Sequence, residues 1–259
     1  MSFRLKYNGV VVIQSLLDDD KQTGKELFDD IIARRCEQTQ KAPYFYQPSN
    51  KVEFLASLEE ICALVIADDL FPIIHFEIHG NPVGLVLKNG EAVTWDELQY
   101  YCRMINVRVR NQLIITLATC YGSWIWKMID ITKPAPYWGY IGPREKIGEG
   151  TLMEDFQSFY DSLLTQDSWD NAIQELKNNG TRDKYIYLHC KGIFEYHIER
   201  NMKDIPLDKK ATYKRLMKKT TEMLPGMNRN QRKAHLKNSI SKFDRNSFIS
   251  RMKRIFLME

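Results

Sequence analysis

Long apolar stretches are what this chain of 259 residues lacks most clearly. A helix that crosses a bilayer needs about 20 predominantly apolar residues, and no run of 18 residues here is free of charge. Met1 to Asp20 also lacks a basic stretch followed by an apolar run and a small-residue cleavage site. We therefore expect neither a transmembrane span nor a secretory signal.

Cysteine pairing is lacking as well. The five cysteines are an odd number, are widely spaced and form no C-x-x-C motif. This pattern argues against a disulfide framework and a zinc ribbon, and it favours a reducing compartment, so we predict a cytoplasmic protein. We expect no metal and no cofactor. The cysteines are Cys36, Cys62, Cys102, Cys120 and Cys190.

Acidic and basic residues are unevenly distributed. The net charge of +4 combines −7 over residues 1–200, with 21 Lys and Arg against 28 Asp and Glu, and +11 over residues 201–259, with 16 against 5. The hydrophobic share of 44% and the charged share of 27% are ordinary for a globular protein. We predict a domain over residues 1–200 and a basic helical C-terminal extension over residues 201–259.

The first 200 residues alternate between strand and helix patterns. The predicted capping boxes are Thr23 with Glu26 and Thr94 with Glu97, and Asn89-Gly90 predicts a type I′ hairpin. Strands are predicted over residues 10–16, 44–47, 71–78, 111–119, 137–141 and 184–195, and helices over 51–69, 94–105, 152–164 and 168–178. Such alternation predicts an α/β fold with a mostly parallel central sheet flanked by helices.

Two predicted strands end on residues whose side chains could act in catalysis. One ends on His79-Gly80 and the other on Cys120-Tyr121-Gly122, and α/β folds build their sites beyond the carboxyl ends of strands. A thiol beside an imidazole makes a nucleophile and a base. Gly80 permits close approach of a substrate carbonyl to main-chain N–H groups, and a helix from Ser123 would favour a thiolate at Cys120.

Each of these residues also has a plainer structural explanation. A cysteine at the end of an apolar strand is commonly a buried small hydrophobe, and a histidine before glycine is commonly a turn residue. His75 lies between apolar neighbours, so we predict a hydrogen-bonded core histidine. The other four cysteines are expected to be inert.

The order of these motifs resembles the caspase-fold cysteine peptidases, the clan that holds caspases, metacaspases, gingipains and bacterial CHAT-type proteases. The segment from Phe76 to Gly80, followed by a hairpin, a helix and the strand from Ile114 that leads to Cys120, carries the resemblance, together with the segment after the first strand at residues 22–27. It covers roughly residues 8–165. It implies a three-layer sandwich, with Cys120 as nucleophile, His79 as general base or acid, and the N–H groups of Gly80 and Cys120 as an oxyanion hole.

The chain departs from this family at the positions that select the substrate. Gln22 stands where caspases carry the arginine that reads aspartate, and Ala118 stands where caspases have glutamine and metacaspases aspartate. The segment after Cys120 is also too short for the processing linker of caspases. We expect no aspartate specificity. Further pocket candidates are Tyr121, Arg144 and Asp18, whose acidic run at residues 18–20 would favour a basic P1 side chain; solvated loop charge is the alternative for Asp18 and Arg144.

The extension has its own cluster of cations. Lys214, Arg215, Lys218 and Lys219 fall on adjacent turns of one predicted helix, and Pro225-Gly226 separates it from a second. This cluster is a candidate binding surface for an anionic small-molecule activator. Nucleic acid is a less favoured partner, and a membrane surface or a groove on a partner protein is a further alternative. The intramolecular alternative is that the extension docks on the acidic domain through its apolar residues. We predict that the extension regulates the domain.

These observations together predict a cysteine endopeptidase that cleaves proteins or peptides, and the resemblance implies a regulated effector in defence or cell death. Two alternatives stay open. One is an inactive caspase-like module whose basic extension binds nucleic acid or a nucleotide signal. The other is a non-proteolytic α/β enzyme that uses Cys120 for a different acyl transfer.

Overall fold

One mostly parallel sheet forms the centre of the fold. The computed structural model describes residues 6–144, 147–178, 184–202 and 209–259. In this part of the chain the strands are β1 (Gly9–Ser15), β2 (Ala42–Tyr46), β3 (Pro72–Gly80), β4 (Gly84–Val86), β5 (Ala92–Thr94), β6 (Ile114–Ala118), β7 (Gly139–Pro143) and β8 (Tyr185–His189).

The sheet has the order β2-β1-β3-β6-β7-β8, and its first five strands are parallel. β8 pairs antiparallel to β7, and the hairpin of β4 and β5 attaches to the end of β3. The central strands β1 and β6 are buried at every residue. Their continuous apolar, β-branched sequences fit strands that are covered on both faces.

Helices cover both faces of this sheet. The first helical segment runs as α1 (Thr23–Leu27), a π-helical stretch (Phe28–Ile32) and α2 (Ala33–Gln38). The others that the structure describes up to residue 202 are α3 (Lys51–Ala67), α4 (Trp95–Arg108), α5 (Trp124–Lys127), α6 (Glu149–Gln166), α7 (Trp169–Asn178) and α8 (Cys190–Met202).

Two consecutive residues of β3 show the two layers of helices. The ring of Phe76 lies 6.3 Å from that of Phe54 in α3, whereas the ring of His75 lies 4.8 Å from that of Phe156 in α6. Because neighbouring strand residues point to opposite faces, α3 and α6 pack on opposite sides of the sheet. The predicted α/β class with a mostly parallel sheet is confirmed, and the arrangement is compatible with a three-layer sandwich.

Some local predictions are confirmed and others are wrong. The Thr94 capping box with Glu97 is present. Thr23 does not cap α1: Gln22 holds the cap position, and the Thr23 hydroxyl donates to buried Glu77 instead. The hairpin forms, but of its two turn residues only Gly90 has a positive φ, so the turn is not type I′.

The predicted strand over residues 184–195 was too long. β8 ends at His189, and α8 begins at Cys190. The second half of this stretch is helical because residues spaced for one helical face follow directly on the strand. They include the apolar Ile193 and Phe194 and the polar His197, and all three are buried.

The chain divides into two compact units. The first consists mainly of residues up to Cys190, and the second mainly of Lys191–Leu257. After α8 the second unit contains α9 (Lys209–Met223), α10 (Arg229–Lys242) and α11 (Arg245–Leu257). The ring of Phe256 lies 5.8 Å from that of Phe194 within this unit.

Helix boundaries in the second unit follow local capping chemistry. The predicted break at Pro225-Gly226 separates α9 from α10. A further break was not predicted: the Asp244 carboxylate accepts from the N–H groups of Asn246 and Ser247 at 3.0 and 3.3 Å and starts α11. None of the helices in the described ranges is long and apolar enough to cross a bilayer.

Candidate active site

The strand register brings the two predicted catalytic segments side by side. β3 and β6 pair in parallel from Ile73 with Ile114 to Glu77 with Ala118, at a constant offset of 41 residues. Cys120 follows the last residue of β6 that pairs with β3 by two positions, and His79 follows the last residue of β3 that pairs with β6 by two positions as well. Because the carboxyl ends of parallel strands meet at one edge of a sheet, His79 and Cys120 both lie at that edge.

Main-chain contact joins the two strand ends. The Thr119 hydroxyl donates to the Ile78 carbonyl oxygen at 2.8 Å. A Cβ atom at position 80 would collide with the Cys120 carbonyl oxygen and the Thr119 methyl group. Glycine is therefore required at position 80 for this approach, which brings Gly80 against the main chain of Cys120.

A carboxylate from the neighbouring strand end holds the His79 ring. Nε2 of His79 lies 2.7 Å from Oδ2 of Asp20, in the loop that follows β1. The Leu17 N–H donates to the same oxygen at 2.9 Å. The hydrogen bond with His79 is the main reason that the pKa of the Asp20 carboxyl lies below its usual range, and the Leu17 N–H adds to the effect.

Cys120 begins a tight turn and is partly exposed. Tyr121 has a φ of 60°, in the left-handed region, and the Gly122 N–H donates to the Thr119 carbonyl at 3.3 Å. Within the described ranges no hydrogen bond links the Cys120 thiol to His79. Catalytic hydrogen bonds are commonly long before substrate binds, so the aligned pair is compatible with a dyad that closes on substrate.

The helix expected after Cys120 is much shorter than predicted. α5 spans only Trp124–Lys127, after a run of turns from residue 120. A macrodipole builds up over several turns and acts within the adjacent one. The predicted helix start at Ser123 is confirmed, and the apolar pattern around Trp124 belongs to a single helical turn, whereas the effect of this helix on the Cys120 thiol stays a prediction.

Gln22 organises the loop that carries Asp20. Its Nε2 donates to the carbonyl oxygens of Leu17 and Asp20, both at 2.9 Å, and its Oε1 accepts from Gln14 at 2.6 Å. Both amide protons of Gln22 are thus used within the protein. The side chain supports the loop, and it has no donor left for a substrate carboxylate.

The other predicted pocket residues lie at the same edge of the sheet. Asp18, Tyr121 and Arg144 follow β1, β6 and β7 respectively, and the carboxyl ends of parallel strands meet at one edge. The Asp18 side chain is 93% exposed, with Oδ1 3.5 Å from Nζ of Lys88. Tyr121 and Arg144 are exposed, whereas Ala118 is buried beneath the edge.

A buried polar cluster lies below the edge, on the face of the sheet that His79 shares. Nε2 of His75 lies 3.0 Å from Oε2 of Glu77, and the Thr23 hydroxyl donates to Oε1 of Glu77 at 2.7 Å. Nδ1 of His75 lies 2.8 Å from the Thr116 hydroxyl, which lies 2.8 Å from that of Tyr160. With its proton on Nε2, the His75 ring donates to Glu77 and accepts from Thr116, so each polar group in this series of hydrogen bonds has a partner. The predicted hydrogen-bonded core histidine is confirmed.

Sequence reasoning missed two of these roles. Asp20 was grouped with a run that selects substrate, but its carboxylate contacts His79. The order of strands in the sheet could have indicated this contact. Because β1 neighbours β3, an acidic residue that follows β1 can reach a histidine at the end of β3. Glu77 carried no local signal, because its partners Thr23 and His75 meet it only through the tertiary fold.

The predicted cation cluster lies in the other unit. Lys214, Lys218 and Lys219 are exposed on α9, and the backbone of Arg215 belongs to the same helix. In the described ranges no group of three or more His, Cys, Asp or Glu side chains is placed to hold a metal ion. No protein-family model matches this sequence, and no curated protein does.

Proposed function

We propose that this chain is a caspase-fold cysteine endopeptidase that acts through Cys120 and His79. The observation that carries the proposal is the alignment of the two strand ends, with Gly80 held against the main chain of Cys120. The carboxylate of Asp20 on the His79 ring supports it further, since orientation of the base by a third group is typical of such sites.

In the proposed mechanism the hydrogen bond with Asp20 keeps the ring proton of His79 on Nε2. With Nε2–H donating to Asp20, Nδ1 carries the lone pair and accepts the Cys120 proton. The thiolate attacks the scissile carbonyl, and in this proposal the N–H groups of Gly80 and Cys120 stabilise the oxyanion. His79 then protonates the leaving amine, and a water that it deprotonates hydrolyses the thioester.

The test uses the purified chain and a library of peptide substrates. Cys120→Ala and His79→Ala are each expected to lose almost all cleavage while the circular dichroism spectrum is retained, because members of such a unit are strongly non-additive. Cys62→Ala, which removes a buried thiol in α3, is the matched control and should cleave like the parent. Cleavage retained in Cys120→Ala would overturn the proposal.

A second candidate function rests on the charge of the second unit. Between Lys209 and Lys242 the sequence holds eleven Lys and Arg against one acidic residue, Glu222. An inactive caspase-like module that binds nucleic acid or a nucleotide through this segment is the alternative. An electrophilic peptide probe separates the two, because mass spectrometry should find it on Cys120 only if the site is catalytic.

A further inference from the structure

A buried glutamine near the end of β1 contacts the side chain that supports the Asp20 loop. Gln14 has no exposed surface. A buried amide without hydrogen-bond partners is unfavourable, and both ends of this amide have one. Its Oε1 accepts from the Lys25 N–H at 2.8 Å, and its Nε2 donates to Oε1 of Gln22 at 2.6 Å.

The start of α1 determines which way the Gln14 amide points. The Lys25 N–H can only donate, so the amide oxygen faces it and the NH2 group is left to face Gln22. Gly24 permits this approach, because a Cβ atom at position 24 would lie 2.8 Å from Oε1 of Gln14 and 2.9 Å from Cβ of Glu77. The main chain of α1 therefore makes Gln14 a donor toward Gln22.

The Gln22 amide is oriented in turn by this donor. With its Oε1 toward Gln14, its NH2 group faces the carbonyl oxygens of Leu17 and Asp20 at 2.9 Å each. The reversed amide would place its oxygen against two carbonyl oxygens, with no proton between them. Exposed Gln47 also donates to Oε1 of Gln22, but at the longer distance of 3.4 Å. Gln14 is therefore the closer of these two donors.

This series of hydrogen bonds ends at the His79 ring. Gln22 holds the two carbonyl groups of the loop, and the Leu17 N–H donates to Oδ2 of Asp20 at 2.9 Å. The same oxygen lies 2.7 Å from Nε2 of His79. Each step places a donor against an acceptor, so the orientation of the Gln14 amide determines the orientation of the groups that follow.

We propose that Gln14 is a positioning residue for the contact between Asp20 and His79. It acts through the Gln22 amide, which holds the loop that carries the Asp20 carboxylate. The consequence for peptide cleavage rests on the proposed peptidase function, whereas the consequence for the contact itself does not.

The experiment measures two quantities in the full chain, the Asp20 pKa by carboxyl carbon NMR and kcat for peptide cleavage. Gln14→Met keeps the length of the side chain and removes its donor and acceptor. The Asp20 carboxylate should then contact His79 less often, so the Asp20 pKa should rise toward its usual range. kcat should fall by about tenfold, the scale of one hydrogen bond, with KM within about twofold of the parent.

Gln22→Met and the double variant test whether the two glutamines act in series. Gln22→Met changes a half-buried residue and should also raise the Asp20 pKa and lower kcat. The double variant Gln14→Met/Gln22→Met should lose no more than Gln22→Met alone. Losses in kcat that multiply, with pKa changes that add, would show two independent effects and would overturn the proposal.

Asn106→Leu is the matched control. Asn106 is another fully buried amide, and its Oδ1 accepts from the Leu113 N–H at 2.9 Å. Leu113 directly precedes β6, so this contact lies at the opposite end of the sheet from His79. Asn106→Leu should lose stability in urea denaturation, as Gln14→Met does, and should keep the parent Asp20 pKa and kcat.

A further measurement needs no substitution at Gln14. In the parent, the side-chain amide proton that Gln14 donates to Gln22 should resonate downfield of the other proton on the same nitrogen, and the difference should shrink in Gln22→Met. A parent spectrum without this difference would contradict the 2.6 Å hydrogen bond and overturn the proposal.

Two results with the variants would also overturn it. One is an Asp20 pKa in Gln14→Met that equals the parent value, whatever the rate of cleavage. The other is an equal rise of the Asp20 pKa in Asn106→Leu, which would indicate general loosening of the fold. If the parent cleaves no peptide, the peptidase proposal fails, and a raised Asp20 pKa in Gln14→Met still supports the role of Gln14.

Discussion

Asp20 Oδ2 lies 2.7 Å from Nε2 of His79, although the two residues are 59 positions apart in the chain. The contact exists because β1 and β3 are neighbours in the sheet, so the loop after β1 meets the end of β3. Leu17 and Gln22 fix that loop by hydrogen bonds to the Asp20 carboxylate and carbonyl. The Asp20 carboxylate therefore fixes the orientation of the ring that the proposed mechanism uses.

Asp20→Asn should lower kcat for peptide cleavage by about 10²-fold or more, with a smaller change in KM. The amide has no charge to hold the His79 imidazole in the required tautomer, and general base catalysis contributes about 10²–10⁴-fold. The measurement is steady-state kinetics on the best peptide from the library. Asp19→Asn changes an exposed neighbour and should keep the parent rate; equal activity of the two variants would contradict the role of Asp20.

The pKa of Asp20 should rise when its partner is removed. In His79→Ala the largest cause of the lowered pKa is gone, while the Leu17 N–H remains, so the pKa should return part of the way toward the usual range. Because the folded pKa is lower than the unfolded one, about 3.9, the contribution of Asp20 to folding stability is complete at neutral pH. It is lost as the pH falls through the folded pKa.

Carboxyl carbon NMR over an acid titration measures the Asp20 pKa in the parent and in His79→Ala. An Asp20 pKa that does not change between the two proteins would show that the hydrogen bond to His79 is not formed in solution.

The sequence was most informative where local patterns and tertiary structure agree. The apolar strands that lead to His79 and Cys120 could be predicted because burial on both faces leaves a continuous apolar run. The order of these strands in the chain also suggested that their ends meet. The capping box of Thr94 and Glu97 needs only residues within one helical turn, and it too was predicted correctly.

The errors occurred where a distant partner competes with a local one. Thr23 has the spacing of a helix cap, but the carboxylate of Glu77 lies within 2.7 Å of its hydroxyl in the folded chain. Likewise the sequence around Asp20 is typical of a solvated loop, and only the pairing of β1 with β3 in the folded sheet brings Asp20 to His79. No periodicity in the sequence encodes these contacts, because they depend on the order of strands across the sheet.

Gly80→Ala should lower the free energy of unfolding by about 1–3 kcal/mol, the usual cost of an added methyl group in a packed site. Here the Cβ atom would meet the carbonyl oxygen of Cys120, and backbone atoms cannot swing aside as a flexible side chain can. Urea denaturation measures the loss, and cleavage should fall with it because Cys120 is displaced.

Gly192→Ala is the control for this substitution. A Cβ atom there meets nothing within 4 Å, and the residue lies inside α8, where alanine is favoured over glycine by about 1 kcal/mol. It should raise stability slightly. A Gly80→Ala protein as stable as the parent would mean that the strand ends are farther apart than described.

Glu77→Ala should destabilise the fold by about 3 kcal/mol, since removal of one member of a buried pair leaves its partners unsatisfied. The buried groups are the Thr23 hydroxyl and Nε2 of His75. Glu77→Gln retains an oxygen acceptor and should cost less. Glu154→Ala, on the exposed side of α6, should stay within about 0.5 kcal/mol of the parent in the same urea titration; a similar value for Glu77→Ala would contradict the buried cluster.

Peptide profiling should show no preference for aspartate at P1. Gln22 uses both amide protons on the Leu17 and Asp20 carbonyls, and it lacks the bidentate, charge-assisted pairing that arginine gives a carboxylate. A basic or uncharged P1 residue is expected instead.

The Asp18 carboxylate is almost fully exposed, and exposed ion pairs contribute about 0–1 kcal/mol. Any preference for Lys or Arg that depends on Asp18 should therefore be modest, and Asp18→Asn should reduce it by no more than about fivefold. The measurement compares kcat/KM for peptides that differ only at P1, in the parent, in Asp18→Asn and in Arg144→Gln. A parent profile dominated by aspartate that is lost in Arg144→Gln would show that Arg144 reads the substrate and that the expectation drawn from Gln22 is wrong.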